Sequence, residues 1–195
     1  STGALTGIQL KKIGVTPFFK GRFGSTLKET LDAPVSQLYF NPENVTVNCE
    51  KVLTAYVQEA LQKRHGEKVI PLRDVTTVFE RIPINKAQDT PRNLAQKIGH
   101  DLGGNLIIVG TVWRFKERLG GAMGVQSPAS VAFAVSLIDV ASGKMLWKAK
   151  FDKTQRSLSE DILDAPAFFK KGAKWLTADQ LARYGVNEIF KKFPL

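Results

Sequence analysis

The stretch SVAFAVSLIDVASGKMLWKAKF, residues 130–151, narrows the choice of fold more than any other part of this chain. Val131, Phe133, Val135 and Leu137 alternate with Ala132, Ala134, Ser136 and Ile138. A period of two belongs to a β-strand, and it sorts a bulky set onto one face and a smaller set onto the other. The small face suits close packing of a helix. Asp139 to Lys144 (DVASGK) reads as a hairpin connection with its glycine near the end. Met145, Trp147, Ala149 and Phe151 then form the inward face of a return strand, while Lys148, Lys150 and Asp152 face outward.

Upstream, Asn105 to Arg118 (NLIIVGTVWRFKER) begins as a continuous apolar run, the pattern of a central strand. Its second half alternates, with Thr111, Trp113 and Phe115 on one face and Val112, Arg114 and Lys116 on the other. An earlier strand holds Ile13 and Val15 and closes at Pro17. Residues 20–45 read as a long loop with one short helix. From Val47 to Arg64, Leu53, Val57, Ala60 and Leu61 share one helical face, and Gly66 supplies the stop. Lys68 to Leu72 (KVIPL) predicts a short buried strand, and Asp74 to Arg81 one or two helical turns.

Thr90 and Pro91 mark a further helix start, Leu94, Ile98 and Leu102 its apolar stripe, and Gly103-Gly104 its end. Residues 153–174 are polar and irregular around an apolar island, Ala165 to Phe169. Thr177 to Gln180 has the form of a capping box and opens a helix to about Lys192 carrying Leu181, Val186, Ile189 and Phe190. The order predicts an α/β (α+β) fold, a mixed sheet of about five strands packed by two or three helices. That unit spans residues 1–155, and a C-terminal helical extension spans 156–195.

Gly120-Gly121-Ala122-Met123-Gly124 poses a choice between a phosphate cradle and a plain connection. A phosphate loop follows a strand and opens into a helix, so that backbone N–H groups and the helix dipole meet the anion. This stretch opens into another strand and lacks a G-K-[ST] ending, so it reads as a strand-to-strand loop. Hydrolase signatures are equally missing: no G-x-S-x-G occurs, and the two histidines, His65 and His100, sit near helix ends, where the dipole alone favours them. One cysteine, two histidines and no H-x-x-x-H spacing argue against structural zinc. Cys49 reads as a small residue packed in a first helical turn. No catalytic residue, cofactor site or metal site is expected.

The net charge of +10 favours an anionic neighbour: nucleic acid, anionic lipid or an acidic protein patch. Arg114, Lys116 and Arg118 fall on one strand, Lys148 and Lys150 on another, and one shared sheet would cluster them. Like charges directly opposite repel, so such a cluster points to an anionic partner, against the alternative of a solvated face with acidic neighbours. No apolar run reaches the roughly 18 residues that cross a bilayer. The sequence starts at Ser1 rather than Met, which leaves room for a removed export signal.

Three segments together resemble a known group. KKIGVTPFF (Lys11 to Phe19), DLGGNLIIVGTVWRF (Asp101 to Phe115) and VSLIDVASGKMLWKAKF (Val135 to Phe151) are similar to segments of the bacterial envelope lipoproteins related to CsgG, the curli secretion lipoprotein. LpoB, the penicillin-binding-protein activator, and the amino-terminal domain of TolB belong to the same structural group. The resemblance covers about residues 8–152 and departs at Gly104-Asn105, where Ala-Asp is usual, and at Ser142, where Thr is common. It implies a TolB-N-like fold and a periplasmic lipoprotein on the outer or inner membrane, anchored through a lipidated cysteine ahead of Ser1.

The resemblance also implies an accessory or assembly role without catalysis, exercised by binding another envelope protein or further copies of the chain. A pore is not expected, because residues 20–45 and 118–130 do not alternate over the roughly 9–11 residues a barrel strand needs. Candidate partner-binding residues are Arg114, Lys116, Arg118, Gly120, Gly121, Met123, Lys148, Lys150, Phe168 and Phe169. The competing expectation is a cytoplasmic binder of nucleic acid or another anionic ligand through the basic surface.

Overall fold

A computed structural model describes residues 9–21, 27–38, 41–121, 124–155 and 175–195. The apolar run predicted as a central strand is β3 (Leu106–Lys116), buried on both faces through Val112. Here the strands are numbered β1 to β7 in chain order. β1 (Ile13–Val15) and β2 (Phe19–Lys20) lie in succession along one side of β3, both parallel to it. They are two pieces of one edge, interrupted at Pro17, which has no N–H to give a ladder. On the other side β3 pairs antiparallel with β6 (Ser130–Asp139), which pairs antiparallel with β7 (Met145–Thr154). These five strands form the mixed sheet. β4 (Leu119–Gly120) and β5 (Val125–Ser127) make a separate small hairpin between β3 and β6.

The helices are α1 (Leu27–Asp32), α2 (Cys49–His65), α3 (Leu72–Arg81), α4 (Pro91–Asp101) and α5 (Ala178–Phe190). Their ends follow local chemistry. The Thr90 hydroxyl accepts from the Asn93 N–H at 3.2 Å, and the Asn93 side chain accepts from the Thr90 N–H at 2.8 Å. Thr177 and Gln180 make the same reciprocal pair at the start of α5. α2 ends on Gly66 at φ 52°, a conformation that glycine enters without steric penalty.

Each face of the sheet carries its own core. Leu106, Ile108, Phe133 and Leu137 meet Leu53 and Val57 of α2 and Leu181 and Val186 of α5. Ile107, Val109 and Ile138 meet Val75 of α3 and Leu94 and Ile98 of α4. The bulky face of β6 thus takes α2 and α5. At Gly110 the space that a Cβ would fill belongs to the Phe18 ring. α5 also comes close, since a Cβ at Gly185 would lie 2.6 Å from the Phe151 ring. Tyr56 of α2 donates to Asp179 of α5 at 2.5 Å, and Arg183 of α5 lies over the Tyr56 ring and bonds Glu59.

Three local expectations are corrected. The register slips between Val112 and Arg114, so Trp113 is an extra residue and Phe115 joins Val112 in the α2–α5 core. A β-bulge of this kind breaks strict alternation. A second slip, between Leu137 and Ile138, sends Leu146 into that core and turns Met145 to the opposite face. Lys68 to Leu72 is not a strand. Val69 makes a single bridge to Ile13, and Pro71 caps α3, which begins at Leu72 and runs for 10 residues.

Cys49 is buried at the start of α2, and burial, then the neighbouring Glu50 charge, pushes its thiol up to about 11. An aromatic disulfide reagent at roughly pH 8 is expected to leave Cys49 unmodified in the folded protein and to react fully in guanidinium. Fast labelling of the folded chain would contradict this burial.

Candidate partner-binding surface

The register of β3, β6 and β7 decides which basic residues meet. Arg114 lies opposite Ala132, and Ala132 opposite Asp152. Lys116 aligns with Ser130 and Thr154, while Lys150 and Lys148 align with Ala134 and Ser136. Cross-strand partners share a face. Arg114, Lys116, Lys148 and Lys150 therefore lie on one side of the sheet, the side that α4 covers at its other end. The clustering expected of one shared sheet is thus met by these four residues.

Arg118 does not join them. β3 ends at Lys116, and the Arg118 guanidinium donates to the Trp175 carbonyl. Beside it, both Glu117 carboxylate oxygens accept from the Ala178 N–H at 3.1 Å, where a negative charge meets the positive end of α5. Arg114 is also tied internally. Its guanidinium donates to Ser130 at 2.6 Å and to Asp152, and Ser130 shares a further hydrogen bond with Thr154. Lys150 pairs with Asp152 at 3.0 Å and lies over the Trp113 ring. Asp152 thus sits among the cations that the sequence had grouped, while Lys116 and Lys148 are exposed.

Burial alone would raise the Asp152 pKa, but hydrogen bonds from Lys150 and Arg114 outweigh it and hold the carboxyl below its ordinary value. A lowered folded pKa contributes stability above the ordinary carboxylate range and loses it as pH falls through the folded value. The stability gap between the native chain and an Asp152→Asn variant is therefore expected to be wide at neutral pH and to narrow towards about pH 3. Acid titration monitored by circular dichroism measures it, and a gap constant with pH would contradict the assignment.

Of the glycine stretch, Gly120 ends β4 and Gly124 directly precedes β5. Gly120 holds φ 106°, where a side chain would be strained and would crowd the Gly124 carbonyl. Gly121 is exposed beside it. Met123, Phe168 and Phe169 lie outside the described residues. Two exposed apolar residues were not foreseen, Val47 at 84% and Leu119 at 61%. Both belong to the far end of β3: Val45 and Thr46 join Phe115, and Leu119 opens the hairpin. Nothing in the flanking residues marks them.

Open grooves also lie among the described residues. One, of about 420 Å³, runs between β7 and α5 and is lined by Lys148, Lys150, Lys153 and Lys192. Another, of about 500 Å³ and mostly apolar, lies between α2, α3 and the Pro17–Phe18 link. Neither was legible in the sequence, since each joins segments far apart in the chain. His65 is the last residue of α2, at the helix end where the sequence placed it, and burial, then Arg64 and Lys68, holds its pKa below the ordinary value. Among the described residues no group of three His, Cys, Asp or Glu could hold a metal, and no helix is long and apolar enough to cross a membrane.

No protein-family model and no curated protein sequence matches the chain. Solved structures do. A variant of the PelC dodecamer from Paraburkholderia phytofirmans aligns over 92% of this chain and 85% of its own, with TM-score 0.50 and 13% identity. The LpoB C-terminal domain from Salmonella enterica aligns over 77% and 90%, with TM-score 0.44 and 13% identity. Lipoprotein GNA1162 from Neisseria meningitidis aligns over 82% and 96%, with TM-score 0.45 and 17% identity. The chain is similar in fold to PelC, and LpoB, named by the sequence resemblance, is among the structures that align with it.

Proposed function

We propose that this chain is a non-enzymatic lipoprotein of the bacterial envelope, an accessory or assembly factor that docks another envelope protein. The observation that carries the docking is the lysine-lined groove between β7 and α5. It is an open contact surface along a sheet edge, the kind of place where a partner chain can lie. The fold likeness to PelC, whose solved form is a dodecamer, supports assembly with further copies as a second part of the same role.

The test is capture from envelope extract with the folded domain as bait and a Lys148→Glu/Lys192→Glu variant, both in the groove, as control. Arg114 and Arg118 stay untouched, because their internal hydrogen bonds would turn a charge swap into a folding defect. A specific envelope protein held by the native chain and lost by the variant is the expected result. Capture of nucleic acid instead, falling steeply with salt, would replace this reading with a cytoplasmic binder of anionic ligands. Sedimentation of the native chain reads self-assembly directly.

A further inference from the structure

We propose that His65 is a pH-operated latch: protonation of its ring frees the turn that follows α5, residues 191–195, from the end of α2. The proposal goes beyond the docking role and does not depend on it. Phe193 is what the latch holds. It is 6% exposed, and its ring meets Trp147 edge-on at 5.0 Å and Phe190 at 5.0 Å. The last two residues of α2 close on it from the other side. The His65 ring stands edge-on to it at 6.2 Å, and the Arg64 guanidinium lies over it at 6.0 Å. Arg64 also donates to the Phe193 and Leu195 carbonyls, both at 3.3 Å.

The His65 ring suits this place only while neutral. Its Nε2 is buried and has no hydrogen-bond partner among the described residues. Imidazolium would carry an N–H and a share of positive charge at that atom, with nothing to accept the bond. The charges that bear on the ring are both cations, Arg64 on α2 and Lys68 in the turn after it. Glu67, two residues on, is exposed, and no carboxylate among the described residues pairs with the ring. The packed end of α5 brings Glu188, Lys191 and Lys192, and there Glu188 is taken by Lys191 at 2.5 Å. Protonation thus adds a cation among cations, and the ring escapes it only by turning out to water.

Burial and the two cations hold the pKa of the latched ring below its ordinary value, so proton binding favours the released arrangement. The latch is closed above the ordinary histidine range, about pH 6.5, and weakens as pH falls through the folded value. Release uncovers Trp147 and Phe190, the rings that Phe193 packs on. It also moves Lys192, which lines the groove between β7 and α5 together with Trp147 and Ile189. Acid would therefore remodel that groove from its α5 end.

The test follows the native chain by NMR from about pH 7.5 down to about pH 5, across the ordinary histidine range. The His65 ring signals report its protonation. The Lys192 and Phe193 amides report the turn, since they donate to the Ile189 and Phe190 carbonyls at 3.2 and 3.1 Å while it is closed. Corrected for the intrinsic effect of pH on exchange, these two amides are expected to lose protection in step with His65 protonation, while amides in the middle of β3 keep theirs. His65→Gln, neutral throughout, is expected to keep both amides protected at the acid end. Protonation of His65 with the two amides unchanged would overturn the latch, and that readout needs no variant. The same loss of protection in His65→Gln would overturn it as well and move the cause to another group.

Discussion

Phe133→Ala is expected to lower the unfolding free energy by about 3–5 kcal/mol, the largest loss from any single truncation in this core. Phe133 sits in the middle of β6 and is fully buried. Its ring meets Phe18 edge-on at 6.2 Å and Phe151 at 5.5 Å, so it joins the short β1–β2 edge to β7 across the sheet. Removing it leaves a cavity bounded by two rings and by β-branched neighbours that have little freedom to close it. Denaturant titration measures the effect. A loss under about 1 kcal/mol would show that the three rings do not form one packed unit.

Gly110→Ala is expected to lower stability by about 1–3 kcal/mol or more, from overpacking instead of loss of contact. The added methyl would overlap the Phe18 ring. Phe18 has little room to retreat, because its N–H is held by the Thr54 hydroxyl at 3.0 Å and β2 begins at the next residue. A cycle with Phe18→Leu isolates the cause. If the ring is the obstacle, the penalty of Gly110→Ala shrinks by at least about 1 kcal/mol in the Phe18→Leu background. Equal penalties in both backgrounds would place the strain elsewhere in β3.

The elements that local chemistry dictates were legible in the sequence. Thr90-Pro91 and Thr177–Gln180 mark helix starts through side chains three residues apart, and DVASGK marks a turn by its glycine, Gly143 at φ 67°. The mixed sheet followed from where periods of two replace periods of three to four. What was not legible depends on pairs of distant residues. A bulge is a mismatch between two strands, so nothing within β3 announces that Trp113 is the extra residue. The fate of Arg114 depends on Asp152, 38 positions later, and without that partner it reads as a free surface charge. KVIPL has strand composition, but Pro71 and the cores around Ile13 and Val75 decide that only Val69 bridges. The groove beside β7 exists only once α5 has packed, a contact between chain segments some 35 residues apart.

The parallel pairing of β1 with β3 fixes the polarity of the whole molecule. Ile13 aligns with Leu106 at the first residue of β3, so the chain enters the sheet at one pole. The β4–β5 hairpin, with Leu119, leaves from the other pole, about 35 Å away along the strand. A tether joined ahead of residue 9 would therefore hold the hairpin pole outward like the head of a post. The exposed Val47 and Leu119 would stand at that outer end.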